Sequence, residues 1–77
     1  MIDNKIIDLR LYGIARKVDV RVIRTIRCEH SQNGELGFVV VCLKNGEKLT
    51  GPVIVGGDAR HVAEEIRSIY QQKLGGG

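Results

Sequence analysis

Asp58-Ala59-Arg60-His61-Val62-Ala63-Glu64-Glu65-Ile66-Arg67-Ser68-Ile69-Tyr70-Gln71-Gln72-Lys73-Leu74 carries its apolar residues at steps of three and four. Ala59, Val62, Ala63, Ile66, Ile69, Tyr70 and Leu74 form one stripe, and Arg60, Glu64, Glu65, Arg67, Ser68, Gln71 and Gln72 fall outside it. That spacing puts the apolar side chains on one face of an α-helix. Gly56-Gly57 ends whatever precedes it. The carboxylate of Asp58 is suited to accept hydrogen bonds from the free amides of a first turn, which predicts a helix over 58–74. Lys73 matches the negative end of the helix dipole, and Gly75 can close the last turn. A helix that is apolar on one side only needs a platform to cover that side.

Working backwards from the helix, Phe38 to Leu43 is an apolar run of strand length. Such a run predicts a central strand covered on both faces. Asn33-Gly34 before it and Asn45-Gly46 after it are hairpin turn signals, because two-residue hairpin loops favour residues tolerant of positive φ. Lys44 and Glu47 flank the second turn with opposite charges suited to cross-strand pairing. Residues 47–50 then return along the sheet. Gly51-Pro52 interrupts the ladder, since proline has no N–H to donate. Val53-Ile54-Val55 makes a short further strand or a continuation past a bulge.

The first thirty residues are less decided. Ile7, Leu9 and Leu11 alternate with Asp8, Arg10 and Tyr12, the period of a half-buried strand over 6–12. Ile7, Leu11 and Ile14 also permit a helix, and Gly13 interrupts either one. In residues 17–30, Val18, Val20 and Val22 alternate with Lys17, Asp19 and Arg21, and the β-branched density favours strand. Ile14, Val18, Val22 and Ile26 at four-residue spacing leave a helix open. The segment is long for one strand, and its alternation slips at Val22-Ile23, so a bend or bulge is expected near Arg24.

Strands first and helix last is an α+β order. The expected fold is a small antiparallel sheet of three to five strands with one C-terminal amphipathic helix packed on one face. It forms a single domain over residues 1–77, with 75–77 as a frayed glycine tail. In its hydrophobic pattern alone, the stretch 36–74 resembles the end of small pleckstrin-like and other sheet-plus-helix modules.

Hydrophobic residues make up 43% of the chain and charged residues 27%, an ordinary globular balance. Tyr12, Phe38 and Tyr70 are the only aromatics, so the core must be aliphatic. No apolar run reaches the length of a membrane span, and the first residues lack the layout of a signal peptide. Cys28 and Cys42 are therefore expected as reduced thiols in a cytoplasmic protein. The net charge of +3 is concentrated early. Residues 1–29 hold seven Lys and Arg against four acids, whereas residues 30–77 hold five of each.

Five candidate sites arise. Lys17, Arg21, Arg24 and Arg27 form a basic strip that can track the phosphates of a nucleic acid, with salt-dependent binding. On an extended chain Lys17, Arg21 and Arg27 share one face and Arg24 lies on the other. No aromatic accompanies the strip to stack on bases, and the competing expectation is a solvated sheet face. Gly56, Gly57, Arg60 and His61 mark a strand–glycine–helix entry where the free amides of a helix start could hold a phosphate or other anion. It lacks the phosphate-loop and dinucleotide signatures, Asp58 puts a carboxylate where the anion would sit, and a tight turn plus a cap explains the same residues.

Cys28, His30, Cys42 and His61 are the residue types of a zinc site. No Cys-x2-Cys or His-x3-His pair is present, however. The turn register sets residue 28 opposite 39 and residue 25 opposite 42, which places the two cysteines on opposite faces, so neither a metal nor a disulfide is expected. His61 and Glu65, with Asp58 nearby, lie one helical turn apart but lack a cleft and an accessible nucleophile, so no enzyme is expected. Finally, so short a chain has a thin core and gains from pairing with its own kind, which makes a homo-oligomer, a dimer first, the expected assembly. The functional expectation is a small non-enzymatic binding and assembly module without a cofactor. Nucleic-acid binding by the basic strip and anion binding at the 56–61 turn are the alternatives.

Overall fold

A computed structural model describes residues 5–75. The elements follow in the order β1 (Ile6–Asp8), a 3-10 turn (Leu9–Tyr12), β2 (Lys17–Asp19), a second 3-10 turn (Val20–Val22), β3 (Ile23–His30), β4 (Leu36–Leu43), β5 (Lys48–Thr50), β6 (Ile54–Val55) and α1 (Gly56–Gly75). They build the α+β architecture the sequence predicts. β1 and β2 pair antiparallel as a separate two-stranded sheet. The main sheet runs β3-β4-β5, with β6 also paired to β4. Gly51-Pro52 thus divides one returning strand into two short ladders on the same side of β4.

The second half of the chain follows its turn chemistry closely. Cys28 lies opposite Val39 and Thr25 opposite Cys42, the register expected from Asn33-Gly34. The turns themselves are not two-residue loops. Gly34 and Gly46 have φ of 74° and 92°, and no non-glycine residue among the described residues has positive φ, so neither turn has two positive-φ residues at its centre. The first is closed instead by Ser31 and Leu36, and Asn33 Oδ1 accepts from the Glu35 N–H at 3.1 Å. The register shifts between Ile23 and Thr25, which makes Arg24 the extra residue of the expected bulge.

Three expectations are corrected. First, α1 starts at Gly56, so Asp58 sits inside the first turn and does not cap it. The Gly56 N–H donates to Glu35 O at 2.9 Å, which bends the chain directly from β6 into the helix. A Cβ at Gly56 would strike Gly34 O. At the other end Gly75 is the last residue of α1, and Gly76 and Gly77 lie outside the described residues.

Second, the alternating segments 6–12 and 17–22 are strands only in part. Asp8 accepts the Arg10 N–H at 3.1 Å and Asp19 accepts the Arg21 N–H at 2.8 Å. Each carboxylate thereby turns the chain into a 3-10 turn where a strand would have continued.

Third, β4 is central but is covered by α1 on one face only. Val39, Val41 and Leu43 are buried with Ile23, Ile26, Leu49, Ala63 and Ile66 in one core, and Ile7, Leu9, Ile14, Val18 and Val20 pack into the same cluster from the N-terminal sheet. That core is aliphatic, with Tyr12 and Tyr70 only partly buried at its margin. Burying each of its large side chains contributes about 1.5–3 kcal/mol. Arg67 reaches from α1 to the outer side of β3, where its Nη2 donates to Ile26 O at 2.6 Å. No helix among the described residues is long and apolar enough to cross a membrane.

Candidate binding face on the uncovered side of the sheet

Cross-strand partners point to the same side of a sheet. Thr25 faces Cys42 and Cys42 faces Lys48; Arg27 faces Val40 and Val40 faces Thr50; Glu29 faces Phe38; Leu36 faces Val55. These rows make up the side of the sheet away from α1. Val40 is 2% exposed yet lies outside the main core cluster. Phe38 and Cys42 are half-buried. Leu36, Val53 and Val55 are 50%, 62% and 60% exposed, an apolar margin at the end where the helix begins.

At the other end of this face lies an open hollow of about 310 Å³ lined by Arg24, Thr25, Arg27, Cys42 and Lys48, with the Gly46 turn at its rim. The bulge is what brings Arg24 there. In an unbroken strand Arg24 and Arg27 would point to opposite sides, whereas the extra residue lets both line one cavity. Among the described residues Arg24, Arg27 and Lys48 make no ion pair. Glu29 is the only carboxylate in the paired rows of this face, and it lies beyond Arg27, opposite Phe38.

The other members of the predicted basic strip are placed elsewhere. Arg21 is held by Asp19, with Nη2 to Oδ2 at 2.5 Å. That guanidinium is the main cause of the Asp19 carboxyl being lowered to about 2. Asp8 is lowered to about 2 in the same way by Arg10. Lys17 lies on β2 in the small sheet. Arg16 is paired with Glu47 at 2.6 Å. Two of the four predicted residues, Arg24 and Arg27, therefore come together, and Lys48 replaces the other two. Lys48 and Phe38 were both readable from the hairpin registers, which set Lys48 in the row of Thr25 and Cys42 and Phe38 on the side of Arg27.

The remaining candidates separate. At the helix start Gly56 is buried and its N–H is spent on Glu35, while Gly57, Arg60 and His61 are exposed. Cys28 is half-buried against the core on the helix side and Cys42 is on the opposite side, both free thiols. Cys28 Sγ lies 3.5 Å from His30 Nε2, which is in turn 3.2 Å from Gly56 O. No cluster of three or more His, Cys, Asp or Glu suited to a metal occurs among the described residues. No family model, curated protein or solved structure matches this chain.

Proposed function

We propose that this chain is a non-enzymatic binding module whose uncovered sheet face takes single-stranded nucleic acid. The observation that carries this reading is the convergence of Arg24, Arg27 and Lys48, without acidic partners, on one open hollow. Phosphates of a bound strand would neutralise the three cations. The half-exposed ring of Phe38, one row beyond Arg27, offers a base a surface to stack on.

Fluorescence anisotropy with labelled single-stranded RNA and DNA at several salt concentrations tests it. Three phosphate contacts give log K falling with log[salt] with a slope of about −2. Arg27→Ala and Lys48→Ala should each reduce that slope by about 0.7. Absence of binding at low salt, or a slope unchanged by both substitutions, rules the reading out.

Self-association is a second reading, favoured by the exposed apolar margin of Leu36, Val53 and Val55. A second copy laid on this end of the face would give β4 the cover that its apolar sequence calls for. Light scattering should then report a dimer that Leu36→Asp with Val55→Asp returns to a monomer. A wild-type chain that stays monomeric at high concentration excludes it. Both readings suit a cytoplasmic protein that needs no cofactor.

A further inference from the structure

We propose that Asn33 is a self-modification site, whose side-chain amide is attacked by the Gly34 nitrogen and ends as an aspartyl or isoaspartyl residue. Asn33 is exposed. Nothing lies within 4 Å of where a Cβ on Gly34 would stand, so the turn is open on that side. The orientation of the amide is fixed by its partners. The Glu35 N–H can only donate, at 3.1 Å, so the atom it meets is the carbonyl oxygen Oδ1. The Ser31 hydroxyl donates to the same oxygen at 2.8 Å. Ser31 Oγ in turn accepts the Leu36 N–H at 3.2 Å, which holds the hydroxyl in place. Among the described residues the Asn33 Nδ2 group makes no hydrogen bond, so it is unhindered as a leaving group.

Two donors aimed at one carbonyl oxygen act as an oxyanion hole. A hydroxide or buffer base takes the Gly34 proton, and the nitrogen pair adds to Asn33 Cγ. Negative charge then develops on Oδ1, between Ser31 and Glu35. Collapse of the adduct breaks the Cγ–Nδ2 bond, and Nδ2 leaves with a solvent proton as ammonia. The resulting succinimide is opened by water at either carbonyl, which gives the aspartyl or the isoaspartyl product. One water is consumed and one ammonia released, with no oxidation or reduction.

The second Asn-Gly turn provides the comparison. The Gly34 N–H is bonded to Ser31 O at 2.9 Å and the Gly46 N–H to Leu43 O at 3.0 Å, so each nitrogen must first be released. Asn45 Oδ1, however, accepts only the Glu47 N–H, at 2.8 Å. Ser31 is the additional donor that singles out Asn33. The turn is also joined to the helix start, where the Gly56 N–H donates to Glu35 O and Gly34 O lies against Gly56. An isoaspartyl link adds a carbon to the main chain ahead of Gly34 and displaces both carbonyls from Gly56. The modification therefore loosens the joint between hairpin and helix, and it rests on neither reading of the open face.

Incubating the folded chain at mildly alkaline pH in oxygen-18 water, followed by peptide mass spectrometry, tests the proposal. Trypsin cuts after Arg27, Lys44 and Lys48, so the two asparagines fall on separate peptides. The Asn33 peptide should pass through a form lacking ammonia and gain one labelled oxygen several-fold faster than the Asn45 peptide. Ser31→Ala should bring the Asn33 rate down to that of Asn45, whose own rate stays unchanged and reports that the variant is folded. In concentrated urea the two rates should converge. Hydrogen exchange at the Gly56 amide should be faster in the isoaspartyl product than in the starting chain. Conversion of Asn33 no faster than that of Asn45, a difference that persists in urea, or an Asn33 rate indifferent to Ser31→Ala overturns the proposal.

Discussion

Val39, Val41 and Leu43 on one side of β4, and Leu36, Phe38, Val40 and Cys42 on the other, are comparable in apolar character and alternate along the same eight residues. The first set is buried under α1; on the other side Val40 is buried too, whereas Leu36 is half-exposed and Phe38 and Cys42 are half-buried. A hydrophobic run therefore specifies that a strand wants cover on both sides without specifying what provides it. On the helix side the chain supplies its own. On the far side it exposes cations at one end and bare aliphatic groups at the other.

The sharpest way to break this comparison is at the centre of the covered side. Ile66 is fully buried, and Ile66→Asp would bury a charge without a partner, costing more than about 4 kcal/mol. Circular dichroism should show an unfolded chain. A folded Ile66→Asp variant would mean that the helix does not need the sheet.

A matched pair sharpens the contrast. Val41→Ala removes buried methyl groups and should cost about 1–3 kcal/mol in urea unfolding. Val55→Thr, on the uncovered side, should change stability by less than about 0.5 kcal/mol at concentrations where the chain is monomeric. Equal costs would erase the distinction between the two sides.

The smallest effect lies off both sides, in the two carboxylates that shape the N-terminal sheet. Asp8 and Asp19 are each lowered from 3.8 to about 2 by their hydrogen-bonded arginines. A carboxyl whose folded value is depressed stabilises the fold fully above its unfolded value and loses that contribution as pH falls through the folded one. Stability should thus decline between about pH 4 and pH 2, and Asp8→Asn with Asp19→Asn should flatten the decline. Both pairs are solvent-exposed, so the change should be slight and should shrink further in salt. An acid profile identical in the double variant would remove these carboxylates as its cause.

How much of this could be read in advance follows from the range of the interactions. The stripe of Ala59, Ala63 and Ile66 is a local period, and it fixed helix and buried face together. Arg24 as a bulge and Thr25 opposite Cys42 also follow from neighbours in sequence, through the slip at Val22-Ile23 and the two turns. The 3-10 turns escaped the alternation argument, because a backbone N–H bond accepted by Asp8 or Asp19 outweighs the strand alternation of Leu9 and Leu11 or of Val20 and Val22 that follows. The helix start was misplaced for a tertiary reason: the Gly56 amide finds its acceptor at Glu35, twenty-one positions away. The cationic hollow was half legible. Arg24 and Arg27 were candidates from charge alone, but Lys48 joins them only once both hairpin registers are laid side by side.

Arg67 carries one more consequence. An eight-residue strand at the border of a sheet invites another chain to zip onto it, rung by rung, towards a fibril. By holding the Ile26 carbonyl, Arg67 withholds a rung near the middle of that border, so a growing ladder would stall there. Crowding this protein should yield clusters that dissolve on dilution, and exchanging the guanidinium for a shorter side chain should tip concentrated samples towards cross-β deposits that do not.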